Sequence, residues 1–462
     1  MTDTTAVAED KLDFKKILPI FIIVLVDLLG LTIIIPLMPL YATSFGADPF
    51  TIGLLGAIYP MMQFIGAPVL GRLSDRYGRK PVLVVSQIGT FIGFLILGLA
   101  TNLWLLFFSR IIDGISGANI STAQAAISDS TTEKTRTQGL GLIGAAFGLG
   151  FIIGPVIAFL SLAVSGNNYH VPAFVAAAFS GLSLLLTIFW FEETLPEEKR
   201  GRGAHKGAFS LNAMIQAISH PAVGVLLVLI FAQQIAFGGF EQILSLFTLS
   251  RLGLNAAGNA LVFVFVGIIV VAVQGGLIGR WSRQYGDRRL IFAGLGLLAG
   301  GLLAVGLTPA RPVPWYSEAE LTAELSGERQ LPGETPPTNE VPIDLPDEAD
   351  AGWLGLAWIL VAMVPVAIGG GILQPSINSL ITKRVRSDEV GGMLGISAAF
   401  LSAANALAPL IGGAIFQGIG PVAPFILWGA LMAVLLLLAL RLVVPGREEN
   451  APAGLARGGG GH

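Results

Sequence analysis

The sequence predicts an all-α membrane protein, with twelve transmembrane helices arranged as two pseudo-symmetric six-helix bundles. The chain has 462 residues, of which 53% are hydrophobic and 12% are charged, and its mean hydropathy is +0.75. A soluble domain carries roughly 25% charged residues, so this composition indicates a polytopic membrane protein. The number of apolar runs and an internal repeat support the same fold class.

The apolar runs are long enough to span a bilayer, because a helix needs about 20 residues to cross a hydrocarbon core of about 30 Å. The twelve predicted spans are 17–41, 51–71, 81–100, 103–128, 137–164, 171–192, 221–250, 256–280, 289–309, 353–382, 389–418 and 421–444. The polar N-terminal segment carries no short apolar run followed by a small-residue cleavage site. We therefore expect the first span to be retained.

The basic residues predict the orientation of the spans. With the N-terminus inside, 23 of the 27 Lys and Arg residues fall in cytoplasmic segments, and Arg251, Arg311 and Arg329 fall outside. Cytoplasmic loops of membrane proteins are enriched in these residues. The sequence therefore predicts a multi-pass protein of the cell membrane (inner or plasma), with both termini in the cytoplasm.

The spans divide the chain into predicted segments. These are a cytoplasmic tail (1–16), an N-terminal six-helix bundle (17–192), a cytoplasmic linker (193–220), a C-terminal six-helix bundle (221–444) and a cytoplasmic tail (445–462). The C-terminal bundle contains an external acidic, Pro-rich loop (310–352) with ten acidic residues. Such a composition cannot form its own core, so we expect a mobile loop. A small soluble subdomain or a cation-binding site are the alternatives for this loop.

An internal repeat relates the two bundles. The segment from Gly71 to Leu83 reads GRLSDRYGRKPVL, and Gly279 to Arg288 reads GRWSRQYGDR. A second correspondence joins Gly139–Phe147 in the fifth span to Gly392–Phe400 in the eleventh. Two parallel halves of this kind are an architecture of secondary transporters.

The Gly71–Leu83 motif resembles the loop between helices 2 and 3 of the major facilitator superfamily. A basic loop of an unrelated membrane protein is the alternative. The resemblance implies a gate made of seven residues: Gly71, Asp75, Arg76, Gly78, Arg79, Lys80 and Asp129. It also implies that Asp75 faces the start of span 11, which agrees with the attraction of an anion to a helix N-terminus.

Three acidic residues lie deep in predicted spans, namely Asp27, Asp113 and Glu241, whereas no histidine does. A charged carboxylate at the bilayer centre costs about 2.5–3.5 kcal/mol, so each of them needs a function or a partner. Asp27 lies about 15 Å into span 1, near the midplane. Because apolar surroundings disfavour the charged form of an acid, Asp27 is a candidate proton carrier. A permanent ion pair is the alternative.

Arg110 and Asp113 lie three residues apart in span 4 and so share a helix face. Arginine stays charged at all relevant pH values and must face water or an acid. We predict that Arg110, Asp113 and Asp27 together couple proton movement to transport. Mutual neutralisation of Arg110 and Asp113, with a purely structural role, is the alternative.

Span 5 carries a spaced set of helix-breaking residues: Gly141, Gly150, Gly154 and Pro155. Their spacing resembles the antiporter signature of the drug:proton exporters in the superfamily, although Ala158 and Phe159 replace two further glycines of the pattern. Helix packing alone is the alternative reading of these glycines. Asp27-Leu28-Leu29-Gly30, followed by Pro36 and Pro39, resembles the first span of the tetracycline-exporter-like branch.

Polar side chains in the spans are candidates for lining a substrate cavity. They are Asn119, Gln124, Gln233, Gln234, Glu241, Gln374, Asn378 and Asn405. Each amide could equally form a hydrogen bond between helices.

The resemblance implies a proton-coupled secondary transporter that exports small amphipathic or drug-like molecules, as multidrug and tetracycline exporters do. The alternatives are a symporter or uniporter of sugars or other metabolites, and a non-transporting receptor or sensor. The sequence shows no catalytic motif and no nucleotide-binding loop, and its lack of cysteine excludes thiolate chemistry. We expect no enzyme activity, no cofactor or metal and no nucleic-acid partner, a monomer, and energy from a proton gradient.

Overall fold

The computed structural model describes residues 14–117, 119–131, 135–201, 211–220, 223–325, 343–385 and 390–443. Twelve helices in these ranges are long and apolar enough to cross a membrane, which confirms the predicted fold class. Spans 1 to 12 are Phe14–Ile34, Pro49–Tyr77, Arg79–Gly98, Leu103–Asp129, Leu142–Ser165, His170–Phe189, Gly224–Leu252, Ala256–Tyr285, Asp287–Gly306, Trp353–Arg384, Gly392–Ile419 and Ala423–Leu442.

Span 1 is shorter than predicted, because it ends at Ile34 and not at residue 41. Pro36 follows directly, and a proline disfavours helical backbone at the residue before it. A separate short helix, Met38–Thr43, then begins with Pro39 in its first turn, where the missing N–H costs nothing.

Span 2 is longer than predicted, because the charged motif continues the helix to Tyr77. Gly78 alone separates spans 2 and 3, and its backbone has φ = 105°. L-amino acids with a side chain rarely adopt that conformation, so a glycine is required at this turn.

Span 4 is interrupted. Its first segment ends at Ser116 and its second segment begins at Asn119, with Gly117 between them. The second segment, Asn119–Asp129, positions two of the predicted site residues at its two ends.

The spans have two ends, which we name by their landmarks. The motif end carries the turns at Gly78 and Gly286, and the insertion end carries the segments around residues 99–102, 166–169 and 310–352. The two halves meet through span 2 against span 11 and through span 5 against span 8.

The halves touch at the insertion end. A Cβ placed on Gly53 of span 2 would collide with the carbonyl oxygen of Pro409 in span 11, and one on Gly413 would collide with that of Pro49. The backbone N–H of Phe50 also donates a 3.0 Å hydrogen bond to Oε1 of Gln417. The insertion end is therefore closed by direct helix contact.

The same four interface helices are apart towards the motif end. Six glycines of these helices lie in open space among the residues that the structure describes, because a Cβ on any of them would meet no heavy atom within 4 Å. These glycines are Gly71, Gly144, Gly275, Gly276, Gly392 and Gly395. The glycines in close contact and the glycines in open space lie on the same spans, at opposite ends. The two halves therefore move apart from the insertion end towards the motif end.

The described part of the 310–352 segment packs against the main hydrophobic core of the protein and does not form a core of its own. Tyr316, Leu321, Leu325 and Ile343 are all at most 7% exposed and belong to the main hydrophobic cluster. The acidic composition did not reveal this, because four well-placed apolar residues suffice to bury the segment. Residues 326–342 lie outside the described part.

Parts of the predicted linker and tails also lie outside the described residues. These are 202–210 in the linker, 1–13 in the first tail and 444–462 at the end of the chain. The described part of the linker contacts the motif end, because the N–H of Gly201 donates to the carbonyl oxygen of Asp75 at 3.0 Å.

Candidate functional site

Asp27 lies in span 1 and is held by one neighbour from span 4. Nδ2 of Asn119 donates a 3.0 Å hydrogen bond to Oδ2 of Asp27. The other carboxylate oxygen, Oδ1, is buried and has no hydrogen-bond partner among the described residues. A carboxyl group with one satisfied and one open oxygen can accept a proton without breaking its existing hydrogen bond.

Asp27 and Asn119 line a cavity inside the first half, together with residues of spans 3 and 4 and Phe191. Gln87 of span 3 also lines it. The hydroxyl of Ser183 donates to the carbonyl oxygen of Ile23 at 3.1 Å and accepts from Nε2 of Gln87 at 2.8 Å. Oε1 of Gln87 is left buried with no partner in the described part of the chain, as is Oδ1 of Asp27. Two buried acceptors therefore belong to one cavity.

Arg110 and Asp113 form a buried ion pair on one face of span 4. Nη1 of Arg110 lies 3.0 Å from Oδ2 of Asp113, and both side chains are at most 4% exposed. The guanidinium also lies 5.4 Å from the ring centre of Phe94 and 5.9 Å from that of Tyr59. In this state the partner of Arg110 is Asp113, and the partner of Asp27 is Asn119.

The span 5 signature lies directly against span 1. A Cβ on Gly154 would collide with Oγ1 of Thr32, and one on Gly150 would lie 3.6 Å from Cβ of Leu28. Pro155 follows inside the same helix, which spans Arg136–Ser165 and also includes Gly141. The glycines thus allow span 5 to approach the turn of span 1 that follows Asp27. This connection between two predicted motifs was not visible in the sequence.

Several cavity candidates form hydrogen bonds between helices. Nε2 of Gln234 donates to Oδ1 of Asn405 at 2.7 Å, which joins spans 7 and 11. Oδ1 of Asn378 accepts from the hydroxyl of Ser397 at 2.8 Å, which joins spans 10 and 11. These contacts match the helix-packing alternative for these amides.

The remaining cavity candidates differ in exposure. Gln233 is 2% exposed, and its Oε1 has no hydrogen-bond partner among the described residues. Gln124 is exposed, whereas Glu241 and Gln374 are half-buried. Of the eight candidates, Asn119 is the one that lines the described cavity around Asp27.

Two of the gate residues, Asp75 and Asp129, converge on a third, Arg79, at the motif end. Arg79 is 4% exposed, and its guanidinium contacts three oxygens: Oδ2 of Asp129 at 2.9 Å, Oδ1 of Asp75 at 2.6 Å and Oγ of Ser74 at 2.7 Å. Spans 2, 3 and 4 are thereby tied together. The predicted contact between Asp75 and the start of span 11 falls on residues 386–389, outside the described part.

Arg76 and Lys80, the other charged gate residues, are placed differently. Arg76 is exposed and stacks over Tyr77, with its Cζ 5.3 Å from the ring centre. The backbone N–H of Lys80 donates a hydrogen bond to the carboxylate of Glu193, which is not among the predicted site residues.

Glu193 caps the start of span 3. Its Oε1 accepts from the N–H of Arg79 at 2.9 Å and its Oε2 from that of Lys80 at 3.2 Å. A carboxylate at a helix N-terminus is favourable because the first N–H groups have no partner within the helix. A Cβ on Gly78 would collide with Oε2 of Glu193, a second reason for glycine there. The only sequence signal was an acidic pair directly after span 6.

The second copy of the motif carries charges of opposite sign at two positions. The residue directly after the turn glycine is Arg79 in the first copy and Asp287 in the second. The residue three positions before that glycine is Asp75 in the first copy and Arg283 in the second. Asp287 is buried and accepts from Ser379 at 2.6 Å and from Nζ of Lys383 at 2.7 Å. Lys383 of span 10 therefore corresponds to Asp129 of span 4. Each half has a buried charge at the same place, with opposite sign.

Within the described residues, no group of three or more His, Asp or Glu side chains is placed to hold a metal ion. The site is made of carboxylates, amides, a guanidinium and apolar walls. Such groups can bind and release protons and can bind an organic molecule.

Comparison with known proteins is consistent with this arrangement. The sequence model of the Major Facilitator Superfamily matches residues 20–319 and 351–459. Tetracycline resistance protein, class B, of Escherichia coli is 25% identical over 436 residues, which are 93% of this chain and 96% of that protein. Multidrug resistance protein 2 of Bacillus subtilis is 31% identical over 291 residues, covering 62% of this chain and 72% of that protein.

Solved structures show the same fold. The human organic anion transporter MFSD10 superimposes with a TM-score of 0.60 at 22% identity, covering 92% of this chain and 99% of that one. The nucleoside transporter NupG superimposes with a TM-score of 0.64 at 11% identity, covering 93% of this chain and 100% of that one.

Proposed function

The chain belongs to the Major Facilitator Superfamily, and we propose that it exports small amphipathic or drug-like molecules in exchange for protons. Like its family and its relatives, it is a transporter of small molecules and not an enzyme. Efflux of tetracycline or of several drugs is the activity that the names of its relatives suggest for it.

The environment of Asp27 carries the proposal. Its carboxylate lies in a membrane span beside a cavity, has one amide donor, and keeps one buried oxygen without a hydrogen-bond partner among the described residues. An ionisable residue placed in this way within a membrane is a functional candidate, because the cost of burying its charge must be offset. Protonation removes that charge, so Asp27 can alternate between the two forms during a transport cycle.

Alternating access supplies the rest of the cycle. The structure is closed at the insertion end and spread at the motif end, and rocking of the two halves would reverse this. We propose that the motif end, which carries most of the basic residues, faces the cytoplasm. In this orientation the observed state would load its substrate from the cytoplasm and release it after the halves rock.

The span 5 glycines connect proton binding to that movement. Span 5 contacts span 1 through Gly150 and Gly154, and it contacts span 8 of the other half through Phe151, whose carbonyl oxygen would lie 2.6 Å from a Cβ on Gly267. A shift of span 1 on protonation of Asp27 would thus be transmitted to the interface between the halves.

The proposal is tested with the purified full chain in liposomes, with tetracycline as the probe. An imposed pH gradient should drive tetracycline against its concentration gradient, and an ionophore that collapses the pH gradient should abolish this accumulation. Ethidium and a sugar such as lactose serve as further probes. Accumulation of the sugar, or tetracycline movement that ignores the pH gradient, would favour the symporter or uniporter alternative.

A further inference from the structure

The inserted segment at the insertion end is not part of the family pattern. The family's sequence model leaves out residues 320–350. The described part of this segment includes a helix, Glu318–Leu325, which we call the strap helix. Whatever the strap helix does is thus a property of this chain rather than of the superfamily.

The segment is rooted on the second half. The N–H of Val313 donates to the carbonyl oxygen of Leu252, at the end of span 7, at 3.0 Å. The N–H of Gly352, just before span 10, donates to the carbonyl oxygen of Pro312 at 2.8 Å. The ring of Tyr316 packs against Gly253, where a Cβ would collide with it. Both roots therefore move with the second half.

The strap helix reaches the first half. Glu324 accepts a 2.9 Å hydrogen bond from Nδ2 of Asn167 and a 3.0 Å hydrogen bond from the hydroxyl of Tyr169. Both donors lie in the turn between spans 5 and 6. Leu321 and Leu325, on either side of Glu324, are 4% and 2% exposed, so the helix is packed and not merely adjacent.

The surface of the first half that Glu324 contacts is held by its own side-chain contacts. Tyr169 stacks on Tyr41 with ring centres 5.5 Å apart, and the Tyr41 hydroxyl lies 3.1 Å from Nδ1 of His170. Burial, together with the charge of Glu324, raises the pKa of Tyr169 well above its ordinary value, so this tyrosine remains a donor at any physiological pH. Asn167 has φ = 63°, a conformation that Asn tolerates better than most residues do.

We propose that Glu324 is a latch that holds the insertion end closed and must release Asn167 and Tyr169 each time that end opens. The inference rests on the rocking movement in the proposed function. Because the strap is rooted on one half and bonded to the other, separation of the halves at this end breaks both hydrogen bonds. Hydrogen bonds to a charged acceptor are the stronger kind, so the latch favours the state seen here.

The latch is tested by distance measurement between spin labels. The chain has no cysteine, so labels can be attached at two introduced ones, Val164→Cys on span 5 and Ile419→Cys on span 11. Both positions lie at the insertion end on different halves and are more than 70% exposed. Pulsed electron paramagnetic resonance on the full chain in lipid nanodiscs then reports the distance between the halves, without substrate or pH gradient.

Glu324→Ala should raise the ratio of the open to the closed population by about tenfold or more, as expected for the loss of hydrogen bonds to a charged group. Glu320→Ala is the matched control, because Glu320 lies one turn earlier on the same helix and is exposed. Tyr169→Phe and Asn167→Gly remove the donors from the other half, and glycine keeps the backbone conformation of residue 167 accessible. If Glu324→Ala folds poorly, these two variants test whether the hydrogen bonds to Glu324 hold the insertion end closed.

The latch is supported if each donor variant, and Glu324→Ala where it folds, enlarges the long-distance population while Glu320→Ala matches the parent. Identical distance distributions in the donor variants and the control would overturn it, as would a shift to shorter distances. Neither outcome bears on proton coupling, because the measurement needs no gradient. Loss of coupling would in turn leave the distance result intact.

Discussion

Asn119 donates its side-chain N–H to one oxygen of Asp27 at 3.0 Å and so joins the second segment of span 4 to the middle of span 1. A neutral amide donor stabilises the charged carboxylate without neutralising it. An arginine in the same place would hold the acid charged permanently. The amide is therefore compatible with an acid that must both bind and release a proton.

Replacement of Asn119 by leucine should shift the pH dependence of coupled transport towards alkaline pH. Without its donor the charged form of the acid is less favourable, so the proton is retained to a higher pH before it is released. The measurement is the rate of gradient-driven tetracycline uptake at several pH values. Ser128→Ala, on the same segment of span 4, is the control. An unchanged profile, or a shift to acidic pH, would contradict the role given to Asn119.

Gly154→Ala should separate spans 1 and 5, because the added Cβ collides with Oγ1 of Thr32. Overpacking of this kind costs about 1–3 kcal/mol, so we expect a lower melting temperature and slower transport. Gly144→Ala is the matched control in the same helix, since a Cβ there meets no described atom within 4 Å. Thr32→Ala combined with Gly154→Ala should restore part of the loss. Equal effects of the two glycine variants would argue against the close contact.

The reversed charges of the second motif predict an unequal pair of mutants. Lys383→Met leaves the buried carboxylate of Asp287 charged with only hydroxyl donors, and breaking a buried pair in this way costs about 3–5 kcal/mol. Asp287→Asn should cost less, because the amide keeps the contacts with Ser282 and Ser379 and the lysine is 32% exposed to begin with. Thermal unfolding measures both, with Arg289→Gln as an exposed control. A larger loss of stability in Asp287→Asn than in Lys383→Met would refute the pairing of Asp287 with Lys383.

Arg110→Lys tests whether this arginine controls protonation or only holds helices together. Lysine keeps the positive charge but loses the planar fork that pairs with Asp113 and lies beside two aromatic rings. If the arginine tunes the nearby acids, the pH optimum of exchange should move while the melting temperature changes little. A lower melting temperature with an unmoved optimum would assign a structural role to Arg110.

The sequence was sufficient to predict the twelve spans, since each needs only a long apolar run and no knowledge of its neighbours. It also identified Arg79, Asp75 and Asp129 as one group, although this rested on a family resemblance. The physical reason is visible in the structure, where two carboxylates and a hydroxyl surround one guanidinium.

What the sequence could not predict depends on contacts between distant residues. Glu193 caps span 3 from more than a hundred residues away, and the acidic pair after span 6 does not by itself indicate which helix it caps. The contact of Gly154 with Thr32 is of the same kind. The strap helix was missed because its acidic composition hid the buried positions of Leu321 and Leu325.

Whether Asp27 carries the coupling proton is decided by comparing two modes of transport in one variant. Asp27→Asn keeps the shape of the side chain but cannot bind and release a proton. In liposomes, exchange of labelled for unlabelled tetracycline needs no net proton movement, whereas accumulation driven by a pH gradient does. We therefore expect Asp27→Asn to retain exchange and to lose gradient-driven accumulation, while Glu320→Gln retains both. Undiminished gradient-driven accumulation in Asp27→Asn would contradict it.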